Sequence, residues 1–101
     1  MATRNFRAGK NFYSAATTRY ITVNSSLATL VTMSTGYTAI SMFNQGSSPL
    51  VWGSSSVGVN SGNYLFPYGR IEWPDVNDHF SFYVVSDSNG VSGLAQITEY
   101  K

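Results

Sequence analysis

The chain has 101 residues, of which 43% are hydrophobic, 15% aromatic and only 11% charged, with no cysteine and a formal net charge of +1. Ordinary domains carry about 25% charged residues, so this exterior suits a molecule largely covered by partners, or an extracellular β-domain. The missing thiols exclude disulfides, thiol catalysis and cysteine-ligated zinc. No run approaches the roughly 18 apolar residues of a membrane-spanning helix, and the length fits one domain with a single core.

Residues 1–17, MATRNFRAGKNFYSAAT, interleave cations and rings without a period of 2 or 3.6. Composition alone fits a frayed terminus. The expectation adopted is an extended arm that docks on a neighbour through Arg4, Phe6, Arg7, Lys10, Phe12 and Tyr13, with Arg19 just beyond it. Rings would fill a partner's grooves while the cations meet its carboxylates. The segment lacks the apolar run of a signal peptide, so classical secretion is not expected, and Asn24-Ser25-Ser26 reads as loop chemistry rather than as a glycosylation site.

From residue 18 to 101 the chain predicts one β-domain. Helix is nearly excluded, because Ser, Thr, Gly, Asn and aromatic residues dominate and no 3.6-residue apolar period appears. Short β-branched and aromatic runs predict strands over 19–23, 27–33, 38–43, 50–52, 56–59, 70–73, 80–86 and 94–100. Turn signals separate them: Ser34-Thr35-Gly36, Asn44-Gln45-Gly46, Asn60-Ser61-Gly62, Pro67-Tyr68-Gly69, Pro74-Asp75 and Asn89-Gly90. That spacing predicts an all-β fold, a small sandwich or jelly roll, or a partly closed barrel. In FSFYVVS, Phe80, Phe82 and Val84 form the expected core face, although the alternate set is also apolar enough to be covered. In TAISMF both faces are apolar, which fits a central strand or a subunit interface.

Charge is segregated along the chain. Arg4, Arg7, Lys10, Arg19 and Arg70 are the only charged residues before position 72, whereas Glu72, Asp75, Asp78, Asp87 and Glu99 all follow, with Lys101 the only cation among them. This arrangement can complement an acidic surface, or a second copy head to tail; chance clustering is the plain alternative.

One cluster could carry chemistry: EWPDVNDHF, with Glu72, Asp75, Asn77, Asp78 and His79. Its oxygens could meet a hard cation, but it lacks the glycine and closing glutamate of a calcium-binding loop. The reading preferred is a turn in which Pro74 fixes φ and short polar side chains satisfy the backbone, with no metal and no cofactor. His79 is the only histidine, and no Gly-x-Ser-x-Gly elbow, phosphate loop or dinucleotide fingerprint is present, so no enzyme is expected. Trp52, Tyr64 and Tyr68 could instead form an exposed aromatic platform for a sugar or a protein. Dispersed cations make nucleic acid an unlikely partner on composition, and no membrane partner is expected.

From residue 39 to 100 the features follow a recognisable order. An apolar strand leads to Asn44-x-Gly46, then a short strand ends in Trp52-Gly53 and a Ser/Val stretch follows. Gly62, Leu65, a Pro67-x-Gly69 turn, an aromatic strand reaching Tyr83 and a final Ile97-Thr98-Glu99-Tyr100 complete it. This resembles small β-sandwich virion proteins of tailed bacteriophages, including capsid decoration or cement proteins. The turns at 44–46 and 67–69 carry the match best; residues 1–38 and 75–79 fall outside it. The resemblance implies a non-enzymatic structural role, stabilising a head shell in contact with the major capsid protein or another virion protein. It also implies a homo-oligomer (trimer or dimer) or lattice association, and a place in the virion after synthesis in the host cytoplasm. A tail, fibre or connector module and a carbohydrate- or receptor-binding module are the alternatives.

Overall fold

β-branched and aromatic residues occupy nearly every segment that pairs, as the propensity of pleated, half-buried surfaces requires. The computed structural model describes residues 6–8, 11–58, 61–77, 79–87 and 91–101. Within them the strands are β1 Phe6–Ala8, β2 Asn11–Tyr13, β3 Ala16–Val23, β4 Thr29–Thr32, β5 Ala39–Asn44, β6 Leu50–Gly53, β7 Asn63–Leu65, β8 Arg70–Trp73, β9 Ser81–Ser86 and β10 Gly93–Tyr100. β1 and β2 form a small hairpin. The remaining strands make two antiparallel sheets, β3-β10-β5-β8 and β4-β9-β6-β7.

The fold is therefore an all-β sandwich with open edges, not a closed barrel. Apart from β6 and β7, which pair, successive strands from β3 onward cross between the sheets, so β3 and β4 mark the edges on one flank while β7 and β8 mark those on the other. Between the layers lie Val23, Val31, Met33, Ile40, Met42, Leu50, Leu65, Phe82, Val84, Ala95 and Ile97, all buried. Phe82 and Val84 take the inward positions their alternation predicts, and Phe80 packs on the core from just before β9.

β5 is buried on both faces because it has two neighbours above and below rather than a subunit interface. Ile40 and Met42 face the inter-sheet core, while Ala39 on the opposite face joins Ala8, Tyr13 and Tyr100 in a second cluster built on the hairpin. Tyr13 and Tyr100 rings lie 5.6 Å apart. The boundary predicted after residue 17 thus falls inside β3, and Ala8 and Tyr13 are packed rather than free in an extended arm.

The serine-rich middle of the chain also departs from expectation. Residues 56–59 form no strand among the described positions; Val57 closes a turn on Ser54 at 3.0 Å, and only an isolated bridge joins Gly58 to Ser61. This loop folds back over the outer face of β6. A side chain at Gly62 would meet Val57 Cγ2 at 2.5 Å and Val51 Cγ1 at 2.7 Å. Val51, outward-facing in its sheet, is fully buried. The short strand β7 that follows was not foreseen; it recruits Leu65 to the core against Leu50.

At one end of the sandwich an ion pair within the β3-β10-β5-β8 sheet also bonds to β4 and the turn after it. Arg19, on the inner face of β3, pairs with the buried Glu99 of β10, and its second amino group donates to the Thr32 carbonyl at 3.1 Å. The other Glu99 oxygen accepts from the Ser34 N–H at 3.1 Å. Arg19 accordingly lies within β3 and is engaged inside the domain rather than carried on an extended arm.

Two substitutions probe this account by denaturant unfolding. Phe82→Ala is expected to cost about 3–5 kcal/mol, since it empties the centre of the core. Arg19→Met is expected to cost about 3 kcal/mol by leaving the Glu99 carboxylate buried without its cation, and adding Glu99→Leu should recover part of that loss.

Candidate binding surface

The segment NYLFPYG, residues 63–69, carries β7 at the edge of one sheet across to β8 at the edge of the other. Its alternation decides its two faces. Leu65 is buried, whereas Tyr64, Phe66 and Tyr68 are 39%, 64% and 75% exposed. The Tyr64 and Phe66 rings stack at 6.1 Å and 18°, and Tyr68 tilts against Phe43 at 6.5 Å. Together they make an aromatic ridge along one flank of the sandwich.

The ridge is held from behind by Asn44, the fully buried last residue of β5. Its amide nitrogen donates to the Ser48 and Leu65 carbonyls, each at 2.9 Å, and its side-chain oxygen accepts from the Gly46 N–H at 3.0 Å. Its backbone serves the ridge as well. The Asn44 N–H donates to Gly69 O at 2.9 Å, and its carbonyl accepts from the Tyr68 N–H at 2.8 Å. Between these contacts the turn closes on itself, Gly69 N–H to Phe66 O at 2.9 Å.

That turn is of the type that demands a left-handed residue after proline. Here the position is Tyr68, at φ 63°. A bulky side chain in this region stores roughly 1–3 kcal/mol of strain and persists only where the surroundings over-determine it. Pro67 and the Asn44 hydrogen bonds supply that determination. The most exposed ring of the ridge is therefore carried on backbone held by Asn44 on both sides of its Cα.

Trp52, expected to share the platform, lies elsewhere. It points inward from β6, edge-on to Trp73 at 5.1 Å and near Phe82 at 6.5 Å, and is half-buried against the core. Its alternation with the outward Val51 and Gly53 explains the difference. Phe66 and Phe43 were not singled out from sequence. The aromatic residues at 64, 66 and 68, two apart before a Pro-x-Gly turn, were the signal that marks Phe66.

Of the residues assigned to the arm, Arg4 and Lys10 lie outside the described residues. Phe6 opens β1 in register with Tyr13. Arg7 lies 5.6 Å over the ring of Phe12, which is half-exposed, and Tyr13 turns inward. The hairpin meets the 75–79 turn across a cleft of roughly 350 Å³ lined by Asn11, Phe12, Tyr13, Thr38, Asp75 and Lys101 among others. Asp75 spends its carboxylate there: it accepts from Asn11 Nδ2 at 2.6 Å and from Tyr13 Oη at 3.3 Å. Asn77 offers its carbonyl to the Phe80 N–H at 3.1 Å, while Asp78 lies outside the described residues. Asp75 and His79 both adopt positive φ, and Asp75 docks the hairpin.

The other described acids are similarly engaged. Glu99 holds Arg19, Glu72 lies 3.6 Å from Arg70 and Asp87 accepts from Tyr64 Oη at 3.4 Å. Compared with protein-family models, curated proteins and solved structures, the chain finds no match.

Asn44→Ala should cost about 3 kcal/mol in unfolding experiments, because it leaves two buried carbonyls and one N–H without partners. It should also speed amide exchange at Tyr68 and Gly69. A loss below about 1 kcal/mol would mean that water replaces the amide without penalty.

Proposed function

We propose that the chain is a non-catalytic structural protein of a tailed-phage particle, a decoration subunit that docks on the head shell and stabilises it. The observation that carries this reading is the ridge of Tyr64, Phe66 and Tyr68, exposed yet rigidly backed by Asn44. Ordered rings bind at low entropic cost and dominate protein interfaces when they enter a partner's pockets. A surface with so few charges is cheaply desolvated on docking. The resemblance over residues 39–100 supplies the context, and a contact repeated over a lattice converts modest affinity per subunit into stability of the whole.

The described hairpin belongs to the same reading. Phe12 projects from it with Arg7 over its ring, offering a second, cationic point of contact with carboxylates on the shell.

A glycan-binding module is the second reading, favoured by the near-parallel Tyr64 and Phe66 rings, since flat aromatic faces suit the apolar faces of sugars.

The test is the copy number of this chain in purified particles of the virus that encodes it, by quantitative mass spectrometry, together with rebinding to particles stripped of it. Copies on the scale of the shell lattice are expected. Copies sufficient only for a single ring would assign the chain to tail or connector, and absence from the particle would overturn the virion reading. Phe66→Ser combined with Tyr68→Gly should weaken rebinding by at least about tenfold while leaving the circular dichroism unchanged, because glycine suits the left-handed turn position. Binding of the free protein to glycans, lost in the same variant, would favour the second reading instead.

A further inference from the structure

The flank opposite the aromatic ridge ends in β3, and β3 is an unusual edge. The other edge strands β4, β7 and β8 contain four, three and four residues, whereas β3 contains eight. Edge strands are normally blunted by lysine, proline, bulges or brevity. β3 reads ATTRYITV, with no lysine, proline or glycine. Its pairing with β10 runs residue for residue from Val23 to Ala16 without a bulge. Its one charge, Arg19, is turned inward onto Glu99. No other described strand lies along its free side.

Which backbone groups face outward follows from the ladder. Just beyond the strand, Ala15 and Lys101 exchange both hydrogen bonds, each at 3.0 Å. Antiparallel pairs alternate between bonded and non-bonded, so Thr17, Arg19, Ile21 and Val23 direct their N–H and C=O groups towards β10. Thr18, Tyr20 and Thr22 direct theirs to the edge. Their side chains share the outer face of the sheet, with Tyr20 58% exposed and its hydroxyl accepting from Gln96 Nε2 at 3.2 Å.

We infer that β3 is a self-association edge, pairing antiparallel with β3 of a second copy about a two-fold axis through Tyr20. In this register Tyr20 lies opposite Tyr20 of the second copy and Thr18 opposite its Thr22, so every outward N–H and C=O of these residues meets a partner. Tyrosine and threonine pairs are favourable cross-strand neighbours. Arg19 falls opposite Ile21. Shifting the register by two residues towards the start of the strand would set Arg19 against Arg19, a like-charge pair. Shifting it by one would oppose outward-facing residues to inward-facing ones and forfeit the ladder. A two-fold, self-complementary contact closes at two copies and joins the two β3-β10-β5-β8 sheets into one continuous sheet. The inference rests on the strand edge alone and is independent of the virion reading.

Sedimentation equilibrium of the full chain, from about 1 to 100 μM, provides the test, with hydrogen exchange alongside. A dimer that dissociates on dilution is expected, with amides of Thr18, Tyr20 and Thr22 protected in proportion to dimer while those of Arg19 and Ile21 stay protected throughout. Tyr20→Pro removes only an outward N–H, a position where edge strands tolerate proline, and should yield a folded monomer. Tyr20→Lys, which sets two ammonium groups together at the axis, should weaken association by at least about tenfold and serves if the proline variant fails to fold. A wild-type monomer at every concentration would overturn the inference. So would a dimer indifferent to Tyr20→Lys, a closed trimer, or free exchange at Thr18, Tyr20 and Thr22 in the associated state.

Discussion

One buried amide organises the half of this sandwich that carries the aromatic ridge. Asn44 ends the doubly covered strand β5, and from there its side chain reaches the opposite sheet through the Leu65 carbonyl. With its donors and acceptor engaged, it satisfies the strand end, the 44–46 turn and the edge of β7 together. The backbone of the same residue grips the aromatic turn at Tyr68 and Gly69. An apolar residue of similar size would fill the space and leave those groups stranded. Strain at Tyr68, exposure of the ridge and closure of the two sheets are thus consequences of a single hydrogen-bonding centre.

The other end is closed by different means. Arg19 and Glu99 bring opposite charges to the sheet boundary and use their remaining atoms on the Thr32 carbonyl and the Ser34 N–H. In a chain with only eleven charged residues, Glu99 is committed to the interior and the half-exposed Arg19 is engaged in holding it. A pair with a buried carboxylate contributes less to net stability than to defining one arrangement, because desolvation offsets much of the attraction. Here the arrangement defined is the alignment of β3 and β10 with the turn that follows β4, and that alignment is what leaves β3 straight and uncharged at its rim.

The fold was legible because turn residues and β-branched runs report local geometry. Phe82 and Val84 sat inside as their alternation required, and the turns at 34–36, 44–46 and 67–69 fell between strands. What escaped was set by contacts distant in sequence. Nothing around Tyr13 announces that its ring will lie against Tyr100, or that its hydroxyl will reach Asp75. Arg19 looked like another cation of the arm until its partner, eighty positions away, was seen beside it. The 56–59 run alternates well enough for a strand, but Gly62 allows Val57 to pack beside Val51 instead. Within the site, period-two spacing exposed Tyr64 and Tyr68 and should have included Phe66; the same spacing turned Trp52 inward. Asn44 was read only as a turn residue, since its inter-sheet reach depends on where Leu65 comes to rest.

The strand order also decides how the molecule would respond to force. Ala16 and Tyr100 face each other at one end of the β3–β10 ladder. Tension entering near one and leaving near the other acts on a single hydrogen-bonded pair at a time, and the two strands peel apart like a zip. A pull along the strand direction on β5 against β10 meets a different resistance, because the six residue pairs between Ala39 and Asn44 on one side and Ala95 and Tyr100 on the other are strained together. The same domain is therefore compliant when drawn by its outer strand and stiff when sheared through its centre.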